Sequence, residues 1–169
     1  KSLKRNSVFQ TYFKKRKIYE YVEEGHLGYL DGWITFPVYD MRHTLCDIVV
    51  RSTSRRSDTR YVIRPNLGSA RPLYIPSPDR VNQSQTIYVV YGIVDAISLH
   101  LAGLPAVTGT TGKSLSAELL RLMNKRFIIV PDKDEEREAH KLANKLGWRC
   151  SVKELDYPDD EHKDPDSIR

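Results

Sequence analysis

Two aspartates one residue apart, Asp132 and Asp134, follow directly on the apolar run "RFIIV". A β-branched, apolar run of this kind predicts a buried strand, so both carboxylates leave its carboxyl end toward one crevice. Asp95 falls in the first turn of the helix expected after the run "TIYVV". Behind the last predicted strand, "DYPDDEHKDPDS" adds Asp156, Asp159, Asp160, Asp164 and Asp166. In open α/β sheets ligands bind outside the carboxyl ends of the strands. Hard carboxylate oxygens gathered there suit Mg2+ or Mn2+, with waters and substrate phosphates completing the octahedron, and such ions serve phosphoryl chemistry. The plainer alternative is that Asp132 and Asp134 cap the following helix and that "DDEHKD" is a solvated loop. For Asp132 and Asp134 the metal reading is favoured; for the late acids individually it is not.

A second chemical signal is "PAVTGTTGKS", Pro105–Ser114, which ends as a phosphate loop ends. A complete loop requires Gly-x-x-x-x-Gly-Lys-Ser/Thr, and the first glycine position is Val107. The stretch therefore reads as a strand and a Thr/Gly-rich turn. That turn still sets N–H groups and Lys113 at a helix N-terminus, where a phosphate can sit. His43 and Cys46 form a lone His-x-x-Cys, short of the four ligands of a structural zinc site, and read as a surface imidazole and a buried thiol. Ser114 has no defensible Ser-His-Asp arrangement. His100 reads as a helix-surface or packing residue, Trp33 and Trp148 as strand packing, and Tyr74 as a base-stacking or, more simply, a packing residue.

The elements that must position these groups fall into two halves. "GWITFPVYD", "LCDIVVRST" and "TRYVIRP" read as strands after a basic, loosely amphipathic opening of one or two helical turns. Prolines 65, 72, 76 and 78 mark Arg64–Pro78 as a connector. From Thr86 strands and helices alternate: "TIYVV", "IVDAISLHLAG", "PAVTG", "SLSAELLRLMN", "RFIIVP", "EEREAHKLANKLG" and "WRCSVKEL". Ser114 is the expected N-cap of the second of these helices, with Leu119, Leu122 and Met123 turned inward. The alternation predicts right-handed crossovers and a parallel sheet covered on both faces. The expected organisation is a small, basic, mainly-β unit over 1–85, including the connector, and a Rossmann-like α/β unit over 86–169.

The chain has 169 residues and a net charge of +5, unevenly placed. Residues 1–85 hold 15 Lys/Arg against 8 Asp/Glu, while residues 86–169 hold 12 against 14. The first half has the sign of a polyanion-binding surface, and the second concentrates carboxylates. Two cysteines far apart exclude a disulfide scaffold, so a reducing, cytoplasmic setting is expected. No apolar run is long enough to span a membrane, and no membrane partner is expected. The Lys1 start and the "DPDSIR" end read as those of a piece of a longer polypeptide.

"YVVYGIVDAISLHLAGLPAVTGTTG" resembles the first motif of Toprim domains, the catalytic module of primases, topoisomerases and some nucleases. There a strand ends in Glu-Gly, an Asp follows three residues after the Gly, and a helix leads to Ala-Gly, a strand and a Gly-Thr turn. "FIIVPDKDEEREA" is similar to the family's Asp-x-Asp motif, and "DEHKDPDSI" to the Asp-Pro-Asp behind the last strand in bacterial-type primases. The resemblance covers Thr86–Ile168. In the first half, "GWITFPVYD" with "DIVVRS", Arg60-Tyr61 and "RPLY" (Arg71 to Tyr74) are similar to the basic subdomain ahead of Toprim in those primases.

By this resemblance the chain is a primase-like core that makes short primers on single-stranded DNA by nucleotidyl transfer with Mg2+ or Mn2+. Asp132, Asp134 and Asp164 are the implied metal ligands, and Asp95 joins the catalytic set. Arg51, Arg60 and Arg71, with Arg55, Arg56 and Arg64, are the implied contacts to template backbone or nucleotide phosphates. The implied partners are single-stranded template, nucleoside triphosphates and a helicase or flanking replication domains. Two positions depart from the family pattern. Arg137 replaces a glycine often found three residues after the second Asp, at little cost to the fold. Tyr91 stands where the family has its glutamate, a metal ligand and proposed acid/base, and a phenol is not an acceptor-only carboxylate at neutral pH. Two alternatives follow: a nucleic-acid-binding Toprim module weakened in catalysis, or a Toprim nuclease.

Overall fold

A computed structural model describes residues 7–30, 32–52, 72–110 and 115–155, together with the backbone of 61–63. Two short helices, α1 (Ser7–Lys15) and α2 (Tyr21–Glu24), precede an antiparallel sheet of β1 (Gly28–Leu30), β2 (Trp33–Tyr39), β3 (Leu45–Ser52) and β4 (Tyr61–Ile63), paired in chain order. Strand β2 shows the period-two pattern of a half-buried strand: Ile34, Phe36 and Val38 are buried, and Trp33, Thr35, Pro37 and Tyr39 half-buried. Asp40 ends it as a turn residue, its Oδ1 accepting from the N–H groups of Arg42 and Thr44 at 2.8 and 2.9 Å. Those two bonds stabilise the ionised carboxylate and hold Asp40 below its ordinary pKa.

The second sheet contains β5 (Leu73–Tyr74), β6 (Thr86–Val90), β7 (Ala106–Gly109), β8 (Arg126–Ile129) and β9 (Cys150–Val152) in the order β5-β7-β6-β8-β9. Strands β6 to β9 pair in parallel, and β5 pairs antiparallel at the edge. The intervening helices are α3 (Pro78–Gln83), α4 (Ile93–Leu101), α5 (Ala117–Leu122) and α6 (Glu136–Leu146), with a 3-10 turn at Gly147–Arg149. The segment read as a plain connector thus supplies an edge strand, in which Leu73 and Tyr74 pair with Gly109 and Thr108. Pro72 and Pro76 flank those two residues, and an edge is where a sheet tolerates proline.

Ile87, Val89 and Tyr91 project to one face of the parallel sheet, with α5 and α6. Val90 projects to the other, with α4. That second face continues into the antiparallel unit: Phe9, Phe13, Ile34, Phe36 and Tyr74 share one apolar cluster with Val90, Ile93 and Ile97. Burial of side chains this large stabilises by roughly 1.5–3 kcal/mol each, so the two sheets are held by a common core. Polar contacts reinforce the seam. His100 is buried, its Nε2 2.8 Å from Glu24 Oε1 and its Nδ1 3.0 Å from Arg80 Nη1. Because Arg80 can only donate, Nδ1 accepts and Nε2 carries the proton. Burial, ahead of the opposing pull of Glu24, lowers the pKa of His100 and keeps this neutral form.

Two packing expectations are corrected. Helix α5 starts after Ser116, whose Oγ accepts from Leu119 N at 3.3 Å, rather than after Ser114, which lies outside the described residues. Its buried residues are Ala117 and Leu120; Leu119 and Met123 are half-buried, and Leu122 is 80% exposed. Trp148 lies in the 3-10 turn rather than in a strand and is 83% exposed. Among the described residues no helix is long and apolar enough to cross a membrane.

Candidate active site

The chain leaves β6 for α4 on one face of the parallel sheet and leaves the adjacent β8 for α6 on the opposite face. Diverging loops from neighbouring strands open a crevice at their carboxyl ends, the topological switch point at which α/β sheets bind ligands. Tyr91, Gly92 and Asp95 come from the first of these loops, and Asp132 and Asp134 from the second. The sequence expectation that these residues share one strand edge therefore matches the fold.

Asp95 is 5% exposed and sits in the first turn of α4, where the helix dipole favours a negative charge. Its carboxylate folds back over the N-cap: a Cβ added at Gly92 would lie 2.1 Å from Asp95 Oδ2. Gly92 is needed for this close approach, since its φ of −130° suits any residue. Gly92→Ala is expected to displace the Asp95 carboxylate and to destabilise the protein by about 1–3 kcal/mol. Denaturant unfolding checks this. Combined with Asp95→Ala, the two losses should be clearly less than additive, because one change removes what the other clashes with.

Asp132 is half-buried and Asp134 exposed at the turn after β8. The turn is closed by Glu135 N donating to Asp132 O at 3.1 Å. Asp134 adopts a left-handed φ of 70°, and its N–H donates to Glu136 Oε1 at 3.3 Å. A non-glycine residue held there stores backbone strain, which is common where a side chain must be aimed. Mg2+ typically takes one or two protein carboxylates and completes its shell with waters and phosphates, so this pair of hard oxygen donors fits it. Among the described residues no three His, Cys, Asp or Glu side chains group as metal ligands. Asp164, the third implied ligand, lies outside the described residues. His43 and Cys46 do not form a site together: His43 Nε2 is 2.9 Å from Asp79 Oδ1, and Cys46 Sγ faces the Thr44 carbonyl.

Tyr91 continues the alternation of β6 into the core beneath α5 and α6 and is 7% exposed. Its hydroxyl has no hydrogen-bond partner among the described residues. Burial, and then the nearby carboxylates of Glu135, Glu138 and Asp132, push its pKa above the ordinary phenol value, so it is neutral wherever the protein works. The position that the resemblance gives to the family glutamate is thus filled by a buried, uncharged ring.

Several features escaped the sequence reading. Thr108 and Thr110, at the carboxyl end of β7, are buried, and their hydroxyls have no hydrogen-bond partner among the described residues. Val107, by contrast, lies in a strand as expected and is wholly buried in β7. Arg51 is half-buried at the end of β3; its guanidinium lies 5.1 Å from the Tyr12 ring centroid and donates to the Tyr12 hydroxyl. Tyr12 could have been flagged only by its place in the basic, aromatic opening of the chain. Arg55, Arg56, Arg60, Arg64, Arg71 and Lys113 lie outside the described residues.

Residues 88–168 match the family model described as Toprim-like. This half of the chain is similar to Toprim-like domains, in keeping with its parallel strand order. The fold of the whole chain is that of DnaG-type primase cores. It superposes on the zinc-binding and RNA polymerase domains of Aquifex aeolicus primase with a TM-score of 0.79 at 20% identity, over 99% of this chain and 53% of that one. The RNA polymerase domain of Mycobacterium tuberculosis DnaG, in complex with a double-stranded DNA oligomer bearing a 6-nucleotide overhang, gives 0.77 at 17% identity, over 96% and 68%. The primase fragment of the bacteriophage T7 primase-helicase gives 0.66 at 18% identity, over 88% and 64%. The chain therefore spans about half to two thirds of these structures. No curated protein matches it.

Proposed function

We propose that this chain is the catalytic core of a primase-type nucleotidyltransferase that synthesises short primers on single-stranded DNA. The observation that supports the reading is that Asp95 and the Asp132–Asp134 pair follow the adjacent parallel strands β6 and β8 at their carboxyl edge, in a Toprim-like sheet that shares its core with a basic antiparallel unit. Residues 86–169 act as the catalytic unit and residues 1–85 as the template-holding unit, with β5 stitching the template-holding unit to the sheet of the catalytic one. Asp132 and Asp134, with Asp164, hold Mg2+ or Mn2+. A divalent ion there neutralises triphosphate charge and stabilises charge developing on the transferred phosphoryl group. Asp95 adds fixed negative charge beside the pair. Arg51, backed by Tyr12, and Arg55, Arg56, Arg60, Arg64, Arg71 and Lys113 neutralise template and nucleotide phosphates, a sequence-independent and salt-sensitive contact. The DNA in the DnaG complex and the helicase linkage of the T7 protein support single-stranded template and a replication helicase or flanking domains as partners.

One observation favours a second reading. The buried, neutral phenol of Tyr91 cannot perform the acid/base role of a glutamate, which suits a Toprim module that binds nucleic acid without polymerising. The two are separated by incubating the protein with single-stranded template, labelled nucleoside triphosphates and Mg2+ or Mn2+. Primase function predicts template-dependent oligonucleotide product. Tight template binding without product in either metal would establish the binding module instead.

A further inference from the structure

The amino edge of the parallel sheet, opposite the carboxylate crevice, carries an aromatic and basic patch that primer synthesis does not use. Trp148 lies in the 3-10 turn ahead of β9 and is 83% exposed; Leu122, at the end of α5, is 80% exposed. Complementarity with the helix dipole accounts for Lys145 in the last turn of α6. It does not account for an indole left in water, because burying a ring of that size is strongly favourable.

The ring is also held in place. The Arg149 guanidinium lies 5.3 Å from the Trp148 ring centroid, and Arg149 Nη1 donates to Asn124 Oδ1 at 2.6 Å. Asn124 occupies the α5–β8 turn with a left-handed φ of 50°. Arg121 donates to the Lys145 carbonyl and so ties the end of α5 to the end of α6. The two segments that build the patch, "RLMNKR" (121–126) and "NKLGWR" (144–149), contain five Lys/Arg and no Asp or Glu. This local balance stands out in a half of the chain that holds 12 Lys/Arg against 14 Asp/Glu.

We propose that this patch is a second binding surface for single-stranded nucleic acid, separate from the crevice. A base stacks on the open face of Trp148 while Arg149, Lys145 and Arg121 meet the flanking phosphates. Stacking on an aromatic ring suits every base, and a guanidinium behind that ring adds a cation–π contribution. An acidic peptide would use the cations but would leave the indole face exposed; a nucleotide uses both. Because the patch and the crevice lie at opposite ends of the same strands, a strand held here is held away from the reacting groups. The inference does not depend on whether the carboxylate site is active.

The test uses the full protein and an oligothymidylate carrying 5-iodouracil, with photocrosslinks mapped by mass spectrometry and affinity read by fluorescence anisotropy. The expected result is a crosslink at Trp148 and an affinity about tenfold lower in Trp148→Ala. Lys145→Gln with Arg149→Gln should flatten the slope of log affinity against log salt by about 1.4, the value for two lost phosphate contacts on a single strand. Asp132→Ala, at the opposite edge, should keep the crosslink. Crosslinks confined to residues 1–85, with Trp148→Ala binding as tightly as the parent, would overturn the proposal. So would patch variants that lose binding to a polyglutamate peptide while retaining the oligonucleotide.

Discussion

Asp132→Ala is expected to lower template-dependent nucleotide incorporation by at least about 10²-fold, the scale of losing one preorganised electrostatic group at a phosphoryl-transfer centre. Asp134→Gly should have a comparable effect on activity and the opposite effect on the fold. Asp134 is exposed and held at a φ of 70°, a conformation that glycine adopts freely. Relief of that strain should stabilise the protein by a few tenths to about 1 kcal/mol even as the ligand is lost. The two readouts separate a functional aspartate from a structural one. If Asp134 served mainly to cap α6, Asp134→Gly would cost stability and spare activity.

Tyr91→Glu, the change that restores the family residue, should destabilise the protein at pH 7 by about 2–4 kcal/mol rather than simply reinstate activity. The new carboxylate would occupy a buried position beside Glu135, Glu138 and Asp132, where burial and like charge both oppose ionisation. Its folded pKa would be raised above the unfolded value of about 4.3. The protonated form is then the favoured one, so the deficit should be small below that value and grow as pH rises through the raised pKa. Denaturant unfolding at pH 5 and pH 7 checks the sign, and added Mg2+ or Mn2+ should restore stability if the carboxylate joins the ion. Tyr91→Phe, by contrast, removes a buried hydroxyl that has no partner among the described residues and should be neutral or stabilising by about 0.5–1 kcal/mol. Loss of activity in Tyr91→Phe would instead make the phenol a catalytic group.

Much of this architecture is legible in the sequence because the signals are periodic. The alternation in "WITFPVY" and the short apolar runs "TIYVV" and "RFII" mark strands unambiguously once turn residues bound them. The strand-end position of Asp132, Asp134 and Asp95 follows from those same boundaries. The departures lie where local pattern underdetermines packing. In "SLSAELLRLMN" two serines compete as caps, and choosing Ser116 over Ser114 changes which leucines face the sheet. "RPLY" gives no hint that Leu73 and Tyr74 close an edge, since that pairing joins segments far apart in sequence. His100 and its two partners come from three separate helices, so its burial between Glu24 and Arg80 has no sequence signature. Tyr91 is the instructive case. Its type gives the departure from the family pattern, but only the fold turns the ring into the core and sets the carboxylates around it.

The central claim is that the acids at the β6–β8 switch point hold a divalent ion. Calorimetric titration of Mn2+ into the full protein and into Asp132→Ala tests it most directly. The account predicts saturable binding that is lost in the variant while its unfolding stays cooperative. Equal Mn2+ binding by both proteins would contradict the claim and leave Asp132 and Asp134 as residues of the turn alone.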